Sequence, residues 1–163
     1  MANIDEKLTI RIHKSGLSDL GLWQAFSIYG IWVFALVSFV MTQFLSWREL
    51  IFFVFVPVSV AFTLTFIIRS IVRRPRPNMG TGYNPWLRSW SFPSAHASVS
   101  FTFATSLAML AIEFDGLVGA TFAVVALFFA GLISISRIMV GVHYFADIIA
   151  GALLGIAVAI ILV

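Results

Sequence analysis

Five apolar segments of bilayer length dominate this chain: Leu20 to Leu45, Leu50 to Val72, Ala97 to Phe114, Gly116 to Ser136 and Tyr144 to Val163. A helix needs about 20 mainly apolar residues to cross the hydrocarbon core, and only a structure that satisfies its own backbone N–H and C=O groups survives there. The chain is therefore read as all-α: a polytopic membrane helix bundle of about five transmembrane helices, the 18-residue third segment being the shortest. With 61% hydrophobic and 10% charged residues and a mean hydropathy of +1.03, it lies outside the range of soluble globular proteins. Residues 1–163 read as a single domain, with no soluble insertion, low-complexity tract or internal repeat.

The first apolar run follows Lys7, Arg11 and Lys14, but it is too long for a signal-peptide core and lacks a small-residue cleavage site. It is expected to stay as an uncleaved first helix. Before it, Ile4, Leu8 and Ile12 recur at i, i+4 and i+8, which permits a short N-terminal helix lying in the membrane interface; the alternation from Leu8 to Ile12 argues against one. The longest break between helices runs from Arg73 to Phe92. It holds Pro75, Pro77, Gly80, Gly82 and Pro85, with Pro93 at its edge, and places Tyr83, Trp86 and Trp90 at headgroup depth. The remaining connections, Ser46 to Glu49, Glu113 to Gly116 and Ile138 to His143, are short.

A pI near 9.8 would point to nucleic acid in a soluble protein. Here the arginines cluster at helix ends, where anchoring or anion binding is the simpler account, and no nucleic-acid partner is expected. The absence of cysteine excludes disulfides, thiolate metal sites and thiol nucleophiles. Histidine and serine remain as candidate nucleophiles.

Three polar clusters interrupt the apolar pattern: Arg69 to Arg76-Pro77, Pro93-Ser94-Ala95-His96, and Ser136-Arg137 with His143 and Asp147. Ionisable groups beside membrane spans are costly, and their placement calls for a functional reason. Each apolar helix carries the chain to the opposite face. The second helix ends at the first cluster, the third begins at the second, the fourth ends at Arg137 and the fifth begins at His143. All three clusters therefore meet at one face.

His143 and Asp147, four residues apart, would share one face of a helix, with the carboxylate fixing the imidazole tautomer. Pro93-Ser94 reads as a helix start with Ser94 near the N-cap, and the free N–H groups of such a terminus form an anion site. Hydroxyls at Ser98, Thr102, Thr105 and Ser106 continue along one face, a pattern of interhelical hydrogen bonds. Arg69, Arg73, Arg74 and Arg76 fit membrane anchoring as well as phosphate binding. Arg76 differs, because Pro75 and Pro77 confine its backbone to extended geometry. Taken singly, the clusters fit capping and anchoring. Together they supply cations, a helix terminus, two histidines and one aspartate, too few carboxylates for a metal site; metal-free phosphoryl transfer, with no cofactor, fits this set.

Arg69-x6-Arg76-Pro77, Pro93-Ser94-Ala95-His96 and Ser136-Arg137-x5-His143-x3-Asp147 resemble, in order and spacing, the three signature blocks of the type 2 phosphatidic acid phosphatase (PAP2) superfamily. The blocks cover residues 69 to 147, about half of the chain. The resemblance implies a phosphohistidine mechanism with His143 as nucleophile, Asp147 as its orienting partner and His96 as general acid. It also implies that Arg69, Arg76, Ser94, Arg137 and the backbone N–H of Ala95 hold the phosphate. Arg69 stands where the family usually has lysine, and Ala95 where glycine is commonest. Neither change removes a group the mechanism requires.

Small size and the lack of a soluble insertion look most like bacterial undecaprenyl-diphosphatases, with phosphatidylglycerophosphate or phosphatidate phosphatases close behind. A different class, a membrane protein that binds or carries anionic lipids without hydrolysing them, would use the same arginines but needs no oriented nucleophile. The expected partners are a lipid phosphate substrate and membrane lipids; the sequence does not specify an oligomeric state. The resemblance implies a cytoplasmic-membrane protein with an extracytoplasmic site. Against that stands the charge distribution: Lys7, Arg11, Lys14, Arg69, Arg73, Arg74, Arg76, Arg88 and Arg137 fall on the site's face and only Arg48 on the other. Gly151 and Gly155 form a small-xxx-small packing face. His13 is expected to be solvated, without a partner.

Overall fold

The computed structural model describes residues 4–15, 20–41, 46–77, 90–114 and 116–163. Six helices account for nearly all of them: α1 (Ile4–Ser15), α2 (Leu20–Met41), α3 (Trp47–Val72), α4 (Ala95–Phe114), α5 (Gly116–Met139) and α6 (Phe145–Leu162). Among the described residues there is no strand. The helices α2 to α6 correspond to the five apolar segments, and α3, α5 and α6 each contain an uninterrupted stretch long and apolar enough to cross a bilayer. Their outward surfaces carry large apolar side chains such as Trp32, Phe66, Phe128, Leu153 and Ile161. Such a surface is stable against hydrocarbon.

The connections are tighter than the sequence reading placed them. Ser46 is the N-cap of α3, so residues 47–49 already belong to that helix. Only Asp115 separates α4 from α5. Within α3, residues Ile51–Phe55 widen into a π turn, with the Val56 N–H donating to the Ile51 carbonyl. Pro57 follows at once; lacking an N–H, it cannot donate to Phe53, and the widened turn accommodates that break. Of the long connection after α3, residues 73–77 and 90–94 are described and non-helical, whereas Tyr83, Trp86 and Arg88 lie outside the described residues.

At the centre stands α4, packed along α5 on one side and α6 on the other. Leu50, Val54, Phe103, Ala104, Leu110, Ala130 and Ile133 form the core between α3, α4 and α5. On its α6 side, close packing comes from glycine. A Cβ on Gly151 would lie 2.5 Å from the Ser94 carbonyl oxygen, and one on Gly155 would lie 2.3 Å from that of Ser98. The small-xxx-small face is thus in backbone contact with the first turns of α4.

The amphipathic N-terminal segment is a helix, but its protein-facing side is not the apolar one. Thr9 and His13 are buried, while Ile4 is 85% exposed and Leu8 partly so. Polar positions i, i+4 and i+8 face the bundle; Ile4 and Leu8 face outward, as in an interfacial helix. Ile12 joins a small cluster of Ala97, Ile138, Ile148 and Phe145 beneath the site.

Candidate active site

The end of α3, the start of α4, the end of α5 and the start of α6 converge at one end of the bundle, as the crossing count requires. Ser94, Arg69, Arg137, His143 and Asp147 are all buried there. A left-handed Arg73 (φ 49°, ψ 40°) ends α3, its N–H returning to the Arg69 carbonyl at 3.1 Å. The chain then doubles back, and Arg74 and Arg76 turn inward while Arg73 stays exposed.

His143 sits in the turn before α6, not on the helix. Tyr144 is the N-cap and Asp147 the third helical residue, so the carboxylate reaches back over the helix start. Its Oδ2 accepts from the Tyr144 N–H at 2.9 Å and faces His143 Nδ1 at 3.3 Å. Its Oδ1 accepts from Arg74 Nη1 at 2.7 Å. Asp147 therefore caps the helix and orients the ring at once. On the other side of the ring, Nε2 is 2.9 Å from Arg76 Nη1, which also donates to the Val142 carbonyl at 2.8 Å. Guanidinium can only donate, so Nε2 is the acceptor and the proton rides on Nδ1 beside Asp147. This is the tautomer that a nucleophilic Nε2 needs.

Arg69 Nε donates to the Pro93 carbonyl at 2.8 Å, tying the end of α3 to the turn that begins α4. Arg137 donates to the carbonyl and hydroxyl of Ser27 on α2. Ser94, at the N-cap of α4, accepts from the Ala97 N–H at 3.4 Å, and its own N–H donates to the Asp147 carbonyl at 2.9 Å. The N-terminus of α4 and the start of α6 are thus directly bonded. The N–H groups of Ala95 and His96, in the first turn, have no acceptor within their own helix. His96 lies within electrostatic range of Arg137, His143, Arg69 and Arg76.

Burial, then the neighbouring Arg69 and Arg137, pull Arg76 down to about 10, which leaves it charged at neutral pH. Burial, and after it Arg76, Arg137 and Arg69, hold His143 well below the ordinary histidine value, so its ring is neutral. Several guanidiniums gathered in a low-dielectric pocket repel one another. A dianion bound among them relieves that repulsion.

Arg69, Arg76, Ser94, Ala95, His96, Arg137, His143 and Asp147 therefore lie at the same end of the bundle, whereas other residues singled out from the sequence have different roles. Arg74 is an internal strut and not a lipid anchor: it bridges Asp147 and Asp5, at 2.7 and 2.6 Å, and stacks 3.9 Å over the Tyr144 ring. His13 is buried, its Nδ1 2.8 Å from the Met139 carbonyl at the end of α5, and not solvated as expected. Thr102 hydrogen-bonds the Ser98 carbonyl of its own helix instead of crossing to another. Asp5, Ser27 and Ser91 were missed. Ser91 is buried and bonds Pro75 and Arg74 through its hydroxyl and N–H, bracing the turn that carries Arg76. Its position in a Trp-Ser-Phe run offers no signal of this.

Beside the polar site, a cavity of about 360 Å³ opens between α2, α3 and α4. Ile31, Val58, Phe62, Ala95, His96 and Val99 line it, with Ser59 and Thr63.

Helices long and apolar enough to cross a membrane, with buried arginines and histidines gathered at one end, fit an integral-membrane phosphatase. Residues 49–163 match the family model of the PAP2 superfamily, and the chain belongs to that family of phosphate-ester hydrolases. The fold is similar to the crystal structure of Aquifex aeolicus LpxE, with a TM-score of 0.74 and 24% identity, covering 95% of this chain and 92% of that one. It is also similar to a transmembrane PAP2-type phosphatidylglycerolphosphate phosphatase from Bacillus subtilis, with a TM-score of 0.73 and 18% identity, covering 99% and 85%. No curated protein sequence gives a significant match.

Proposed function

We propose that the protein is a metal-independent lipid phosphatase that works through a phosphohistidine on His143, with undecaprenyl pyrophosphate as its substrate. The observation that supports the mechanism is the placement of the ring: Nδ1 lies 3.3 Å from Asp147 Oδ2, and Nε2 lies 2.9 Å from Arg76 Nη1, which can only donate. In the first step Nε2 attacks the terminal phosphorus in line, a P–N bond forms, and the bond from that phosphorus to the bridging oxygen breaks, releasing the lipid monophosphate. The leaving oxygen takes its proton from His96. Asp147 stabilises the imidazolium as it acquires charge, and Arg69, Arg76, Arg137, the Ser94 hydroxyl and the Ala95 N–H hold the phosphoryl oxygens. In the second step water attacks phosphorus, His96 takes the water proton, the P–N bond breaks and neutral His143 is restored.

The apolar cavity beside His96 supports a substrate with a hydrocarbon tail that reaches the site sideways from the bilayer. The choice of a polyprenyl pyrophosphate rests on the lack of a soluble insertion between the apolar segments. A second reading, phosphatidylglycerophosphate, has the named activity of the Bacillus subtilis structure in its favour. Phosphate release by purified protein from polyprenyl pyrophosphate, phosphatidylglycerophosphate and phosphatidate decides between them. In the same assay His143→Ala should abolish turnover, and chelator should change nothing; turnover by His143→Ala, or a strict Mg²⁺ requirement, overturns the mechanism. We place the site on the extracytoplasmic face. Labelling of single cysteines at Asn84→Cys and Asp115→Cys from outside intact cells tests this, since the chain has no cysteine of its own.

A further inference from the structure

Helix α1 lies across the turn that carries His143 and bonds to both helices flanking it. At the end of α5, His13 meets the Met139 carbonyl. At the start of α6, Thr9 Oγ1 accepts from the Phe145 N–H at 3.0 Å and Asp5 Oδ1 from the Ala146 N–H at 2.9 Å. Two first-turn donors of α6, which no carbonyl of that helix can satisfy, are thus satisfied from more than 130 residues away in sequence. Thr9 in turn donates to the Asp5 carbonyl at 2.7 Å. The second carboxylate oxygen of Asp5 takes Arg74 Nη2 at 2.6 Å, and Arg74 Nη1 takes Asp147 at 2.7 Å. A continuous chain, Asp5 to Arg74 to Asp147 to His143, leads from the N-terminal helix to the imidazole.

We infer that Asp5 is a positioning residue for the nucleophile, acting through Arg74 on the Asp147 carboxylate; this rests on the assignment of His143 as nucleophile. Asp147 divides its negative charge between Arg74 on one oxygen and the His143 Nδ1–H on the other. While Arg74 is also held by Asp5, its pull on Asp147 is shared and its position is fixed from both sides. Without Asp5, Arg74 is released on one side, and the Asp147 carboxylate loses the fixed position from which it orients the imidazole. The loss falls on the chemical step and spares substrate binding, because neither Asp5 nor Arg74 is among the groups assigned to the phosphate.

The test is steady-state turnover of the full-length protein in detergent micelles with the best lipid of the panel above, alongside thermal unfolding midpoints. Asp5→Asn keeps the acceptor for the Ala146 N–H and removes the charge. It should lower kcat about tenfold, the lower end of the loss seen when outer partners of metal-bound histidines are removed, with KM unchanged within about twofold. Arg74→Gln should do the same, and the double variant should be no slower than either single one, as expected of residues acting in series. Thr9→Val loosens the same helix contact without touching the charge chain; it should lower the unfolding midpoint but keep kcat within about twofold. Additive losses in the double variant, or an equal kcat loss in Thr9→Val, reduce α1 to a structural brace and overturn the inference. If Asp5→Asn does not fold, Arg74→Gln alone carries the test, and wild-type kcat in it refutes the chain. His143→Ala is the reference: if it turns over, the mechanism fails, whereas an inactive His143→Ala with a fully active Asp5→Asn sinks only this inference.

Discussion

The starts of α3 and α6 solve the same problem in opposite ways. Both must satisfy N–H groups that have no acceptor in their own helix. At α3 the solution is local: Ser46 Oγ accepts from the Glu49 N–H at 3.3 Å, and Glu49 Oε2 accepts from the Ser46 N–H at 2.7 Å. At α6 the same kind of return, Asp147 to the Tyr144 N–H, is only one part, and Asp5 and Thr9 arrive from α1 to take the next two donors. One end needs only to begin a helix. The other must also hold an imidazole in one orientation, and for that a cap from three residues away is not enough.

Breaking the two caps in the same chemical way should separate the roles most widely. Asp147→Asn should lower turnover by about 10²- to 10⁴-fold while the protein stays folded, as expected of a carboxylate that orients a catalytic histidine. Glu49→Gln, the same change in the local cap, should leave turnover at the wild-type level. Comparable losses in the two would erase the distinction.

The next effect sharpens what the terminus of α4 contributes. His96→Ala should cost about 10²-fold or more on a lipid monophosphate, whose leaving alkoxide needs a proton, and clearly less on a lipid pyrophosphate. Equal losses on both substrates, measured as phosphate release, would remove His96 from the acid role.

A smaller effect should appear in the pH profile. His143 is held below the ordinary histidine value by burial and then by Arg76, Arg137 and Arg69. As pH falls through about 6.5, where histidine of an unfolded chain takes its proton, the buried ring stays neutral and nucleophilic. The acid limb of kcat/KM should therefore lie below that value, and a limb at about 6.5 would contradict the burial and charge seen around the ring. Stability follows the same sign. The contribution from this group is fully present above the unfolded value and is lost as pH falls toward the folded one.

Least of all, Ser46→Ala should cost about 1 kcal/mol of stability, the usual worth of an N-cap hydroxyl. Activity at a temperature well below the unfolding midpoint should not change. A loss of activity there would mean that the start of α3 communicates with the site.

The bundle and the gathering of the candidate site residues at one end of it were legible in the sequence for a physical reason. Bilayer length writes itself into hydropathy, and His143, Asp147, Ser94 and His96 lie in short blocks whose spacing survives translation into helix ends. What escaped lies between distant segments. Asp5 meets Arg74 across 69 residues and Ala146 across 141, and no local pattern marks such pairs. Arg74 and Arg73 look alike in sequence; the left-handed turn at Arg73 sends one inward and leaves the other outside. In α1 the apolar spacing of Ile4, Leu8 and Ile12 drew attention to the outward side, whereas the side that matters is written in Asp5, Thr9 and His13. The π turn before Pro57 carries no hydropathy signature at all.

The glycines of α6 set a mechanical condition on how a lipid gets in. Because Gly151 and Gly155 let α6 lie against the backbone of α4, the N-terminus of α4 and the helix that follows His143 have no compressible layer between them. They behave as one fixed jaw. On the opposite side of α4, between it and the α2–α3 pair, lies the cavity beside His96, with no such backbone contact across it. A rearrangement of α2 and α3 around that cavity would leave the spacing between the Ser94 turn and His143 as it is.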